Sequence, residues 1–137
     1  MLGFLTLLAL AADPGLATVA RGPMSGVARS QQIVAHTEAE WAALWKSHAG
    51  AQPAPAVDLS TDMVLAVFLG TRPTAGFSVE IVGTRRDADA LVIEYVEQRP
   101  GRDAIAAQVL TSPFHIVTLP RYAGPVRFEK RPPPLGR

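Results

Sequence analysis

Cysteine is absent from all 137 residues, and that absence removes several chemistries at once. No disulfide framework can staple the chain, no thiol can serve as a nucleophile, and no cysteine is available for lipid attachment. A zinc site would have to draw on three separated histidines. Stability must therefore come from a hydrophobic core. Charge of one sign is also lacking: 13 Lys and Arg against 12 Asp and Glu give a formal net charge of +1. The basic residues are scattered from Arg21 to Arg137 and form no run, so the electrostatic footprint of a nucleic-acid binder is missing.

One apolar stretch stands out, Leu2 to Ala12. It has the length of a signal-peptide h-region and is too short to cross a bilayer core of about 30 Å. Asp13-Pro14-Gly15 follows it, and both Ala9-Leu10-Ala11 and Thr18-Val19-Ala20 offer small-residue cleavage sites. No Lys or Arg precedes the run, a departure from the usual basic start. The sequence predicts a signal peptide over residues 1–20, a folded domain over 21–130 and a disordered proline-rich tail over 131–137. Cutting after Ala20 removes Asp13 and leaves 13 basic residues against 11 acids. The remaining ~115 residues suffice to bury a core. The expected location is the periplasm or the outside of the cell, without a stable membrane span.

Within the folded part, glycine and proline keep Arg21 to Gly26 irregular, and Val27 to Ala35 reads as a strand. Thr37-Glu38-Ala39-Glu40 forms a capping box, and Trp41, Leu44, Trp45 and His48 then recur at helical spacing. Gly50 ends that helix. Met63 to Leu69 is a continuous apolar run whose length suits a strand covered on both faces. Further strands are expected over Phe77–Gly83, Leu91–Gln98, Phe114–Leu119 and Val126–Lys130. Arg85 to Asp89 reads as a polar hairpin turn. Arg99 to Ser112 is a long loop of about fourteen residues, in which Ala104 to Ala107 can form a helical turn. These elements predict an α+β fold: a mainly antiparallel sheet of five or six strands with the Glu38–Ala49 helix packed on one face.

Candidate catalytic and metal-binding residues do not assemble into a site. Ser112 and His115 lie three apart on an extended chain, so their side chains point to opposite faces. His36, His48 and His115 each read as structural, Asp87 and Asp89 as a solvated turn, and Trp41 with Trp45 as the core face of the helix. Gly70 to Gly76 lacks the Lys-Ser/Thr ending of a phosphate-binding loop and opens a strand where a helix is needed. No catalytic residue, metal or cofactor is therefore assigned. What remains is a rigid, largely uncharged loop surface suited to a protein partner: Thr71, Arg72, Pro73, Thr74, Gly76 and Phe77 from one turn, with Gln108, Thr111 and Pro113 from the second loop. Exposed strand edges offer a second route, by accepting a strand from the partner.

Three spaced motifs carry a resemblance. Gly70-Thr71-Arg72-Pro73-Thr74-Ala75-Gly76-Phe77-Ser78-Val79-Glu80-Ile81, then Glu97-Gln98-Arg99-Pro100-Gly101, then Gln108-Val109-Leu110-Thr111-Ser112-Pro113-Phe114-His115, resemble the C-terminal domain family of the protease complex subunit PrcB over roughly Val64 to Leu119. The family's Thr-Gly-Gly-Tyr-Ser is Thr74-Ala75-Gly76-Phe77-Ser78 here. Ala75 narrows the backbone angles open to the turn, and Phe77 lacks a hydroxyl. The resemblance implies an exported, non-catalytic accessory subunit whose partner is a protease or protease complex. A shorter likeness, of Arg72 to Phe77 to the inhibitory loop of chagasin-type cysteine protease inhibitors, implies a protease inhibitor as the alternative. A structural envelope protein is the third reading.

Overall fold

The computed structural model describes residues 15–134, so residues 1–14 of the expected leader and 135–137 of the expected tail lie outside the described residues. In chain order the elements are β1 (Ala17–Gly22), β2 (Gln31–Ala35), α1 (Glu38–Ala49), β3 (Asp62–Phe68), β4 (Ser78–Asp87), β5 (Ala90–Gln98), β6 (Phe114–Pro120) and β7 (Val126–Arg131). The apolar run of β3 dictates the layering. Successive strand side chains point to opposite faces, and in β3 both faces are apolar. Val64, Ala66 and Phe68 join Trp41, Leu44 and Trp45 of α1, with Phe114 and Ile116 of β6, in one cluster. Met63, Leu65 and Val67, with Leu69 just beyond the strand, join Val79, Ile81, Ile93, Tyr95, Val117 and Leu119 in a second cluster on the other side. Fully burying one such side chain contributes ~1.5–3 kcal/mol, so β3 is the strand both cores share.

Among the described residues seven strands form two sheets. The first is antiparallel, in the order β1-β6-β3-β2, and the second has the order β4-β5-β7. In the second sheet β4 and β5 are an antiparallel hairpin, while β5 and β7 run parallel. This corrects the expectation of one mainly antiparallel sheet of five or six strands. Among the described residues the α+β class and one helix on a sheet face hold, but a helix can cover only one face of β3. The opposite face needs a second layer, and the three-stranded sheet supplies it.

α1 begins and ends where its sequence places it. Thr37 accepts the Glu40 N–H at 3.1 Å, and the Glu40 carboxylate reaches back to the Thr37 and His36 N–H groups. Trp41 and Trp45 pack into the core and donate their indole N–H groups to the Pro55 and Gln52 carbonyls. No described helix is long and apolar enough to cross a membrane.

Other local expectations are revised. The strand expected over Val27–Ala35 begins at Gln31, because Ala28 is drawn aside to accept the Thr71 N–H. The Arg85–Asp89 turn is tighter, with β4 continuing to Asp87 and Ala88 adopting φ 54°. No helical turn forms at Ala104–Ala107, where the Ala107 carbonyl accepts from Ala75 and Val109 instead. β1 is an addition: the expected boundary at residue 20 falls inside this strand, which pairs with β6. Arg131, placed in the tail by the sequence reading, is the last residue of β7.

Candidate functional site

The Gly70–Phe77 turn leaves β3 by a path that requires glycine at two points. Gly70 has φ +82°, and a Cβ there would meet the Ser30 nitrogen at 2.7 Å. Gly76 has φ +97° and lies against Pro100, a conformation and approach that a side chain disfavours. Ala75, the departure from the family pattern, lies outside the positive-φ region. The narrowing of backbone angles expected from alanine therefore has no consequence at this position.

Arg72 turns inward. Its Nε donates to Glu97 Oε2 at 2.8 Å and a second guanidinium nitrogen to Oε1 at 3.2 Å, while the third donates to the Leu69 carbonyl at 3.1 Å. Glu97, at the end of β5, is only 3% exposed, and Lys130 of β7 donates to its Oε1 at 2.8 Å. Hydrogen bonding from Arg72 is the foremost cause that brings the Glu97 carboxyl down to about 2, with Lys130 assisting against the cost of burial. The Arg72 guanidinium also lies 6.0 Å from the centre of the Phe77 ring. The turn is thus clamped to the second sheet by a buried ion pair and its flanking contacts.

The second loop is fastened to the same turn. Arg72 and Thr111 exchange backbone N–H···O bonds at 2.7 and 2.9 Å, and the Ala75 N–H donates to Ala107 at 3.0 Å. The buried Thr111 hydroxyl donates to the Thr74 carbonyl at 3.0 Å. Ser112 donates its N–H to Pro23 and accepts from Ser25, and Pro113 is fully buried beside the Leu69 N–H that its carbonyl accepts. The structure therefore divides the nine sequence-nominated residues. Arg72, Thr74, Thr111 and Pro113 hold the two loops in place, Thr71, Pro73, Gly76 and Gln108 face outward, and Phe77 is half-buried between the groups.

The outward surface also contains apolar residues that sequence reasoning passed over. Ile105 is fully exposed, and Leu110, Met24 and Val109 are 67, 62 and 52% exposed. A signal for three of them was present, since Ile105, Val109 and Leu110 are large apolar residues in a long loop that no pattern places in a core. Met24 could not be found that way. It joins the loop only through its bridge to Ser112.

Two buried histidines and Asp87 of the polar turn are occupied by partners. His115 is buried on β6, where the Ile81 N–H donates to its Nδ1 at 2.9 Å and its Nε2 meets the Thr18 hydroxyl at 2.8 Å. An amide can only donate, so the neutral ring carries its proton on Nε2 and gives it to Thr18. Burial, then the charge of Arg21, brings His115 down to about 4. His48 is buried against Phe114, bonds Ser25 at 2.8 Å and is lowered by burial. Asp87 pairs with Arg127. Among the described residues no three His, Asp or Glu side chains gather as metal ligands.

Comparison with known proteins adds one finding. Neither a curated protein nor a solved structure matches the chain. Residues 63–120 match the family model described as PrcB C-terminal. That segment runs from β3 through β6 and contains the clamped turn, Glu97 and the whole second loop. Over residues 63–120, the chain carries the PrcB C-terminal pattern that its three motifs resemble.

Proposed function

We propose that this chain is a non-catalytic accessory subunit that stabilises or positions an envelope or secreted protease complex, docking through the exposed side of the two fastened loops. The observation that carries this reading is the exposure of Ile105, Val109, Leu110 and Met24 on segments whose backbone is cross-bonded to the Gly70–Phe77 turn or to its neighbouring loop. Exposed apolar side chains cost solubility unless a partner covers them, and holding them on a preformed loop reduces the ordering cost of binding. Each leucine or isoleucine buried by a partner contributes ~1.5–3 kcal/mol. The family likeness supports a protease complex as that partner. Export belongs to the same reading and rests on the Leu2–Ala12 run. Cleavage after Ala11 keeps β1 intact, whereas cleavage after Ala20 removes Thr18 and with it the hydrogen bond to His115.

Co-purification tests the proposal. The wild-type protein is expected to recover a peptidase from its native envelope, and an Ile105→Asp/Leu110→Asp variant of unchanged melting temperature is expected to lose it. Recovery of no peptidase, or equal recovery by both proteins, sinks the idea. Added to papain-like or subtilisin-like proteases, the pure protein is expected to leave hydrolysis unslowed.

A further inference from the structure

The two edges of the second sheet treat their outer backbone differently. β4 is closed, because the Val79 carbonyl accepts from Arg21 Nε at 2.9 Å and the Ile81 N–H donates to His115 at 2.9 Å. β7 is paired on one side only among the described residues, with β5. Leu91 faces Val126, and the Leu91 N–H donates to the Pro125 carbonyl at 2.9 Å. Backbone groups of successive strand residues point to alternate sides. Pro125, Arg127 and Glu129 therefore face β5, while Val126, Phe128 and Lys130 present N–H and C=O groups away from the sheet.

The side chains alternate in the other dimension. Val126 and Phe128 pack on the inner cluster and Lys130 reaches Glu97, which puts Arg127, Glu129 and Arg131 on the outer face. Centred on Phe128, this pattern complements itself. In an antiparallel alignment with a second β7, Phe128 faces Phe128, Val126 faces Lys130, and Arg127 faces Glu129 in both directions. The Phe128 and Val126–Lys130 pairs use the outward backbone groups and can exchange both N–H···O bonds. Pro132, the next residue whose N–H would point outward, has none, so the pairing stops there. Arg127 and Glu129 are each about half exposed while bridging Asp87 and Arg85 within the chain, leaving donors and acceptors to share. The other edges lack such a guide: β2 carries no charged residue, and the register of β1 is broken between Thr18 and Ala20.

We propose that β7 is a self-association edge, on which two copies of this chain pair antiparallel about Phe128 and join their three-stranded sheets into one. This stands independently of the docking loops. Sedimentation equilibrium of the purified protein at low salt is expected to show a dimer. Arg127→Glu and Glu129→Arg each place like charges across the interface and should weaken the dimer about tenfold or more. An equimolar mixture of the two variants restores opposite charges at every facing position and should form a heterodimer. Each variant also loses a bridge within its own chain, which mixing cannot restore, so recovery on mixing reads the interface alone while melting temperatures record folding. Three results overturn the proposal: a wild type that stays monomeric, including one that takes up an unrelated extended peptide on this edge, a dimer indifferent to either reversal, or a mixture no more associated than its parts.

Discussion

Glu97 and His115 are buried groups whose protonation would break the contacts that hold the molecule's two sides together. Glu97 titrates near 2 when folded, against about 4.5 without its partners. The unfolded chain takes the proton more readily, so the stability it contributes is complete above pH 4.5 and is lost as pH falls toward 2, ~3 kcal/mol in all. Glu97→Gln resembles the protonated acid. Urea denaturation at pH 7 should show that variant ~3 kcal/mol less stable, with the gap closing toward pH 2. For His115 the folded value is about 4, against 6.5 unfolded. Its contribution is complete above pH 6.5 and disappears as pH falls to 4, where protonated Nδ1 can no longer accept the Ile81 N–H. Replacing it by asparagine, whose carbonyl can take the place of Nδ1, should flatten much of the fall in melting temperature between pH 6.5 and 4. His48, also lowered by burial, contributes to the remainder, and Glu97 adds to it below about pH 4.5. Neither role can be read along the chain, since Arg72 and Glu97 are 25 residues apart and Thr18 and His115 are 97 apart.

Among the elements, those specified by near neighbours were the legible ones. The Thr37–Glu40 capping box and the Trp41–His48 stripe place α1 at the residues where it is found, because both are set within a few turns of one helix. Thr37→Ala should cost ~1 kcal/mol, read by chemical denaturation. The β3 run announces burial on both faces, yet it cannot say what lies on each face. Strand partners are chosen by contacts between distant segments, and the parallel pairing of β5 with β7 leaves no local trace. The turn after β3 is intermediate. Its glycines are visible in the sequence, but the need for Gly70 arises from the Ser30 backbone beneath it. Gly70→Ala should therefore destabilise the fold by ~2 kcal/mol or more and shift the amide resonances of Ala28 to Ser30 in an NMR spectrum. The proposed docking surface was legible in its frame, because Thr111 and Pro113 stand in patterned motifs; of its exposed apolar residues Ile105, Val109 and Leu110 leave a signal as large apolar residues in a long loop, while Met24 leaves none because it arrives from another part of the chain.

At the scale of the whole molecule, three layers are held in register by groups that cross between them. β4 meets the first sheet through His115 and Arg21, and the Arg72–Glu97–Lys130 cluster ties the turn after β3 to the ends of β5 and β7. Loss of β1 should therefore be felt in both sheets. A chain starting at Arg21 is expected to melt at a lower temperature and to scatter light on heating, because the β6 edge is then bare. One starting at Ala12 should behave like the full chain, and paired melting curves distinguish the two. β1 carries a further consequence in time. The Thr18 hydroxyl lies 97 residues before its partner His115, and synthesis adds about 5–20 residues per second. The N-terminal strand therefore exists for about 5–20 s before the ribosome has made the strand it pairs with. Throughout that interval it has no β6 to pair with and is open to any machinery that handles a nascent chain.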